Sequence, residues 1–208
     1  MNQTTNSSPL PWEGKGEALE KGEATSAARS AKRLASVTFG PRCSALLSRS
    51  ELLSSLRSDL PLASARKIDL IVLHCSDTRP SQQYTVEMLA RDHKRRGFGD
   101  YPGYHFFVRR DGTLHYCRPL HLKGCHVAGY NMHSIGVCYE GGHREDSPPL
   151  VSKYEDNRTA EQKEALHELL SCLKGLWPEA RICGHRDLPG VAKACPCFDA
   201  EREYNYLR

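Results

Sequence analysis

The stretch Ile68-Asp69-Leu70-Ile71-Val72-Leu73-His74 decides the fold of this chain. Its apolar run has the length and residue types of a buried strand, and it ends on an imidazole. A second short apolar segment, Arg181-Ile182-Cys183-Gly184, leads in the same way into His185. Cys195 then lies in the loop Lys193-Ala194-Cys195-Pro196.

Working outward, a helix is expected from Thr85 to Arg96, because Val86, Leu89, Ala90 and His93 recur at helical spacing and Gly97 supplies a stop. Tyr104 to Arg109 and Thr113 to Cys117 alternate around Asp111-Gly112, a hairpin signal. Ser134 to Tyr139 reads as a further strand, closed by Gly141-Gly142. Residues 143 to 158 carry paired prolines and many charges, which suits a surface loop. Thr159 and Gln162 have capping-box spacing, and Leu166, Leu169, Leu170, Leu173 and Trp177 form one stripe of a helix. Strand and helix signals alternate without a strict repeat. The expected class is therefore α/β in the broad α+β sense: one domain, a central mixed β-sheet flanked by helices.

Residues 1–66 are rich in Ser, Ala, Gly, Lys, Glu and Arg and show no sustained apolar period before Leu46-Leu47. They are expected to be a disordered extension, with the folded domain occupying 67–208. The net charge of +4 comes from scattered side chains rather than a basic tract, so no nucleic-acid partner is expected. No apolar run approaches the roughly 18 residues of a membrane span. The N-terminus lacks the pattern of a secretory signal, so cytoplasmic synthesis is expected. Nine cysteines, an odd number, point to reduced thiols or metal ligation rather than a disulfide framework.

His74, His185 and Cys195 together look able to hold one zinc ion. Two imidazoles and a thiolate leave a tetrahedral zinc one position short, and that open position is what a hydrolytic site requires. Either thiol of Cys195-Pro196-Cys197 could face the metal on spacing alone.

The order of motifs resembles the zinc-dependent N-acetylmuramoyl-L-alanine amidases of the phage-lysozyme and peptidoglycan-recognition-protein type. The segments that carry the likeness are His74-Cys75-Ser76, Gly103-Tyr104-His105-Phe106, Arg110-Asp111-Gly112 and His126-Val127-Ala128-Gly129-Tyr130-Asn131. Ser134-Ile135-Gly136-Val137, Gly184-His185-Arg186-Asp187 and Lys193-Ala194-Cys195-Pro196 complete the series. The resemblance implies a groove over the sheet for peptidoglycan or muropeptides, and hydrolysis of the amide between the lactyl group of N-acetylmuramic acid and L-alanine. It implies one Zn2+ on His74, His185 and Cys195, which favours Cys195 over Cys197. Tyr104 and Lys193 take the non-ligand catalytic positions, and His126 and Asn131 match substrate-contacting ones. A monomer acting at the cell wall as a lysin is expected. A non-catalytic peptidoglycan binder and a cytoplasmic muropeptide-recycling amidase are the alternatives.

For proton transfer from the attacking water, Tyr104 is the first choice and Glu140 the second, since alternation puts Glu140 on the face of Cys138. His105 should face away from Tyr104 and serve a structural hydrogen bond. His93 reads as a surface or core residue.

Overall fold

The computed structural model describes residues 44–46, 49–63, 66–146 and 152–207. The chain divides into units 1–33 and 34–208, and every described residue lies in the second. In chain order the elements are β1 (Ser44–Leu46), α1 (Arg49–Ala63), β2 (Leu70–Cys75), α2 (Val86–Arg95), β3 (Phe106–Val108), β4 (Leu114–Tyr116) and β5 (Ser134–Tyr139). They continue with α3 (Ala160–Leu176), β6 (Arg181–Gly184), a single 3-10 turn (His185–Asp187) and α4 (Ala200–Tyr204).

The strands form one sheet in the order β1-β4-β3-β5-β2-β6. β1 and β3 run antiparallel to β4, whereas β3, β5, β2 and β6 run parallel to their neighbours. The sheet is therefore mixed, as expected. β2 is flanked on both sides by parallel partners and every one of its positions is buried. That explains why it reads as a continuous apolar run rather than an alternating one.

Period two still sorts its side chains. Ile71, Leu73 and Cys75 face the main core with Ile135, Val137 and Tyr139 of β5 and Leu166, Leu169, Leu170 and Leu173 of α3. Leu70 and Val72 face the other way, against Val127, Cys183 and Leu188. His74 shares the parity of Leu70 and Val72, so the fold delivers its ring to the face away from the leucine-rich core. On that second face α2 sets Val86 and Leu89 against Phe107 and Cys138.

Helix ends follow the sequence closely. Thr85 caps α2, its hydroxyl accepting from Met88 N. At α3 both halves of the capping box are made: Gln162 N donates to Thr159 Oγ1, and Thr159 N donates to the Gln162 side chain. Gln162 Nε2 also donates to the carbonyls of Val108 and Glu140, tying the helix start to two strand ends.

The ordered fold reaches upstream of Lys67. β1 pairs with β4, and Leu52 and Leu56 of α1, 3% and 0% exposed, join the main core. These leucines are too sparse to give a long periodic signal, yet they cover apolar surface that the sheet would otherwise show to water. The expectation of disorder at 1–43, 47–48, 64–65, and of loop at 147–151, lies outside the described residues.

Arg66 is the other upstream contribution. Its guanidinium, 7% exposed, donates to the carbonyls of Leu120, Leu122, Asn131, Met132 and Ser134. One side chain thereby gathers both ends of the loop that carries His126.

Truncating Leu56 tests the upstream contribution. Leu56→Ala should lower unfolding stability by about 2–5 kcal/mol in denaturant titrations. A loss under about 0.5 kcal/mol would place α1 outside the cooperative core.

Candidate metal centre and groove

The candidate ligands come from the carboxyl ends of two parallel strands and the loop beyond them. His74 is the fifth residue of β2, paired with Cys138, and its ring is 1% exposed. His185 opens the 3-10 turn directly after β6 and is 8% exposed. The Asp187 carboxylate holds that turn by accepting from Gly184 N at 2.7 Å. Arg186 N donates to Cys195 O at 2.8 Å, which ties the ligand turn to the Cys195 loop. Gly184 is required by this approach: a Cβ there would lie 2.5 Å from Pro196 Cδ.

One donor atom from each of His74, His185 and Cys195 lies within 4.8 Å of the others. His74 Nδ1 is 3.8 Å from Cys195 Sγ, and the His74 and His185 ring centroids are 4.6 Å apart. Bonds of about 2.1 Å to nitrogen and about 2.3 Å to sulfur at tetrahedral angles give an N–S edge of roughly 3.6 Å. The spacing fits a zinc ion with small adjustments. Backbone Cys75 N also donates to Cys195 Sγ at 3.2 Å, which holds the sulfur at the end of β2.

Cys197 takes a different place. Its sulfur is 3.6 Å from Cys75 Sγ and 3.3 Å from Gly142 O, so the thiol that reaches the imidazoles is Cys195.

Burial holds the ligand imidazoles neutral, which leaves lone pairs available to a cation. Desolvation lowers the pKa of His185 to about 4, with Lys193 adding repulsion. His74 is driven down chiefly by burial, and then by His126, His185, Lys193 and His93. The Lys193 side chain itself is exposed, so it sits at the rim with its charge in reach of both rings.

Tyr104 precedes β3, and its ring centroid is 5.0 Å from that of His74 and 5.2 Å from that of His93. His93, on α2, steadies this corner by accepting from Gly103 N at 2.8 Å. Burial pushes the Tyr104 phenol well above its usual range, with the sulfurs of Cys138, Cys195 and Cys75 adding to the effect. A phenol so held is protonated and can act as a hydrogen-bond donor.

Glu140 is spent elsewhere. Its carboxylate, 1% exposed, accepts from Tyr84 N, Arg109 Nε and Arg110 N. This ties α2 and the hairpin to the end of β5 and removes Glu140 as second choice of base. His105 does what alternation implied: buried, its Nδ1 accepts from Gly136 N at 3.0 Å and its Nε2 reaches Leu122 O at 3.1 Å.

His126 and Asn131 turn inward. Asn131 Oδ1 accepts from the backbone N of both His126 and Val127, closing the loop on itself. His126 Nδ1 is 3.0 Å from His74 Nε2 and its Nε2 is 3.2 Å from Ser134 Oγ. Both ring nitrogens are thus engaged within the protein. Sequence reading left Arg66 and Ser134 out of the site, since an arginine before the first strong strand and a serine opening another carry no local signal.

A family model described as N-acetylmuramoyl-L-alanine amidase matches residues 64–198. The endolysin of Enterobacteria phage K11 is 41% identical over 130 residues, covering 62% of this chain and 81% of that protein. The endolysin of Escherichia phage T7 is 39% identical over 134 residues, covering 64% of this chain and 83% of that one. Among solved structures, N-acetylmuramoyl-L-alanine amidase LysC from Clostridium intestinale URNW aligns with a TM-score of 0.54 at 26% identity, covering 66% of this chain and 82% of its own.

The buried imidazoles set an acid limit. Burial lowers His105 to about 3 and His93 to about 4. A depressed histidine contributes its full stability above the ordinary value of about 6.5 and loses it as pH falls toward the folded value. Metal-stripped protein should lose on the order of 3 kcal/mol per ring between pH 7 and pH 4 in denaturant titrations. His105→Asn should shrink that pH dependence by one ring's share; an unchanged slope would contradict the assignment.

Proposed function

Because the chain belongs to the N-acetylmuramoyl-L-alanine amidase family and is therefore a peptidoglycan hydrolase, we propose that His74, His185 and Cys195 hold the zinc ion on which its amide cleavage depends. The observation that carries this reading is the convergence of two neutral imidazole nitrogens and one sulfur within 4.8 Å. Zinc bound there would supply Lewis acidity, acidifying water and polarising the scissile carbonyl.

The remaining roles fall to this chain's own residues. The protonated Tyr104 phenol, beside His74, donates a hydrogen bond to the oxygen that gains negative charge as the carbonyl is attacked. Lys193, exposed at the rim, adds a cation to the same developing charge and can hand a proton to the departing L-alanine nitrogen. The bond broken joins the lactyl carbonyl to that nitrogen, and water supplies the hydroxyl and the proton of the two products. The reading of Tyr104 and Lys193 rests on proximity to the ligand rings and on their donor chemistry.

We also propose the cell wall as the site of action, with the chain working as a lysin rather than on small recycled muropeptides. Likeness to phage endolysins near 40% identity supports this. No helix among the described residues is long and apolar enough to cross a membrane.

Four measurements test the proposal. Purified protein should hold one zinc per chain, and Cys195→Ser should lose both the metal and the clearing of cell-wall suspensions. Lysis by that variant at the parent rate would refute the ligand assignment. Lys193→Ala and Tyr104→Phe should each keep the metal while kcat falls by about 10²–10³. Mass spectrometry of wall digests should find free amino-terminal L-alanine; new reducing sugar ends would mean a glycosidase. Intact walls should be cut faster than soluble muropeptides, and the reverse order would favour recycling.

A further inference from the structure

A single fixed carbonyl determines which nitrogen of His74 is free to bind a metal. Ser134 Oγ donates to Tyr130 O at 2.8 Å, so toward His126 Nε2, at 3.2 Å, it can only accept. His126 therefore carries its proton on Nε2 and presents a bare Nδ1. That bare nitrogen stands 3.0 Å from His74 Nε2, which must then be the protonated one. His74 Nδ1 is left with its lone pair, and it is the nitrogen 3.8 Å from Cys195 Sγ.

The seat of His126 is built to hold this arrangement. A Cβ on Gly124 would fall 2.3 Å from His126 Cδ2, and one on Gly136 would fall 2.7 Å from the same atom. Two glycines thus let the ring settle edge-on to His74, the planes at 85° with centroids 5.0 Å apart. Asn131 Oδ1 fixes the backbone N of His126, and Arg66 clasps Asn131 O and Ser134 O on either side.

We infer that His126 is a positioning residue for the metal ligand His74: through the relay Tyr130 O, Ser134 Oγ, His126 and His74 Nε2 it fixes the ring angle and tautomer that turn His74 Nδ1 toward the metal. This replaces substrate contact as the role of His126, and it rests on the zinc reading above. A metal-bound imidazole ordinarily leans on a carboxylate, a carbonyl or water. Here the partner is a second, neutral imidazole, which accepts the hydrogen bond from His74 Nε2 without adding a negative charge beside the ion.

The test is zinc affinity of the chelator-stripped chain, read by competition with a chromogenic chelator, for the parent, His126→Ala, His126→Asn, Ser134→Ala and Cys195→Ser. His126→Ala should weaken zinc binding by about 10- to 100-fold while the metal-free protein keeps its circular dichroism. His126→Asn offers an amide oxygen where Nδ1 stood and should recover most of the loss. Ser134→Ala should cost a few-fold, in keeping with its place one step further back. If His126→Ala binds zinc as tightly as the parent and raises only KM, the relay is wrong and the ring contacts substrate. That result would leave the zinc reading intact, because the parent would still hold one ion that Cys195→Ser lacks. A parent that binds no stoichiometric zinc would sink both together. Should His126→Ala not fold, nitrogen-15 NMR of the stripped parent decides: His74 and His126 protonated on Nε2 support the relay, and His126 protonated on Nδ1 overturns it.

Discussion

Two uncharged imidazoles and a sulfur share one poorly hydrated corner of this sheet, and most of the structure around them serves to make that tolerable. Polar atoms removed from water without partners cost several kcal/mol. A divalent cation that drew on all three lone pairs would turn the cost into a gain, as structural and catalytic zinc sites do elsewhere. Parallel pairing of β2 with β5 and β6 brings His74 and the start of the His185 turn to the same edge. The Cys195 loop then crosses Gly184 and closes over the strand end, where Cys75 N meets its sulfur.

Much of this was legible in the chain because the signals are local. A buried parallel strand must be apolar on both faces, so β2 and β5 stand out. The capping box at Thr159 and Gln162 involves residues three apart and was recoverable from spacing alone. The convergence of His74, His185 and Cys195 was legible for another reason: only a small group of side chains binds zinc, and each of these stood at the end of an apolar segment or in the loop beyond. Strand ends were less secure, and the hairpin strands are shorter than their alternation implied, at Phe106–Val108 and Leu114–Tyr116.

What stayed hidden depends on partners distant in sequence. Nothing near Glu140 announces that its carboxylate will be met by donors from Tyr84, Arg109 and Arg110. His126 and Asn131 were singled out because they match substrate-contacting positions of the family, a likeness that does not report their contacts inside the fold. Their actual partners, His74 and the loop's own backbone, lie across the fold or inside a turn whose conformation spacing does not fix. The leucines of α1 were discounted because the short stretch Ser50 to Leu56, taken alone, buries too little surface to offset its ordering entropy. Tertiary contact supplied what local periodicity lacked.

Arg66 and Arg118 carry a consequence of their own. Both are buried, and among the described residues they donate mainly to carbonyl oxygens: five for Arg66, whose Nη1 also lies 3.4 Å from His105 Nε2, and those of Lys123, Tyr101 and Pro102 for Arg118. Carbonyl dipoles solvate a cation but do not cancel it, so an outward field survives. Burial chiefly opposes protonation of His105 and His126, and both guanidiniums add to it. The loop is thereby a region of proton exclusion, set by burial and reinforced by permanent charges that do not titrate in the range where free histidine would.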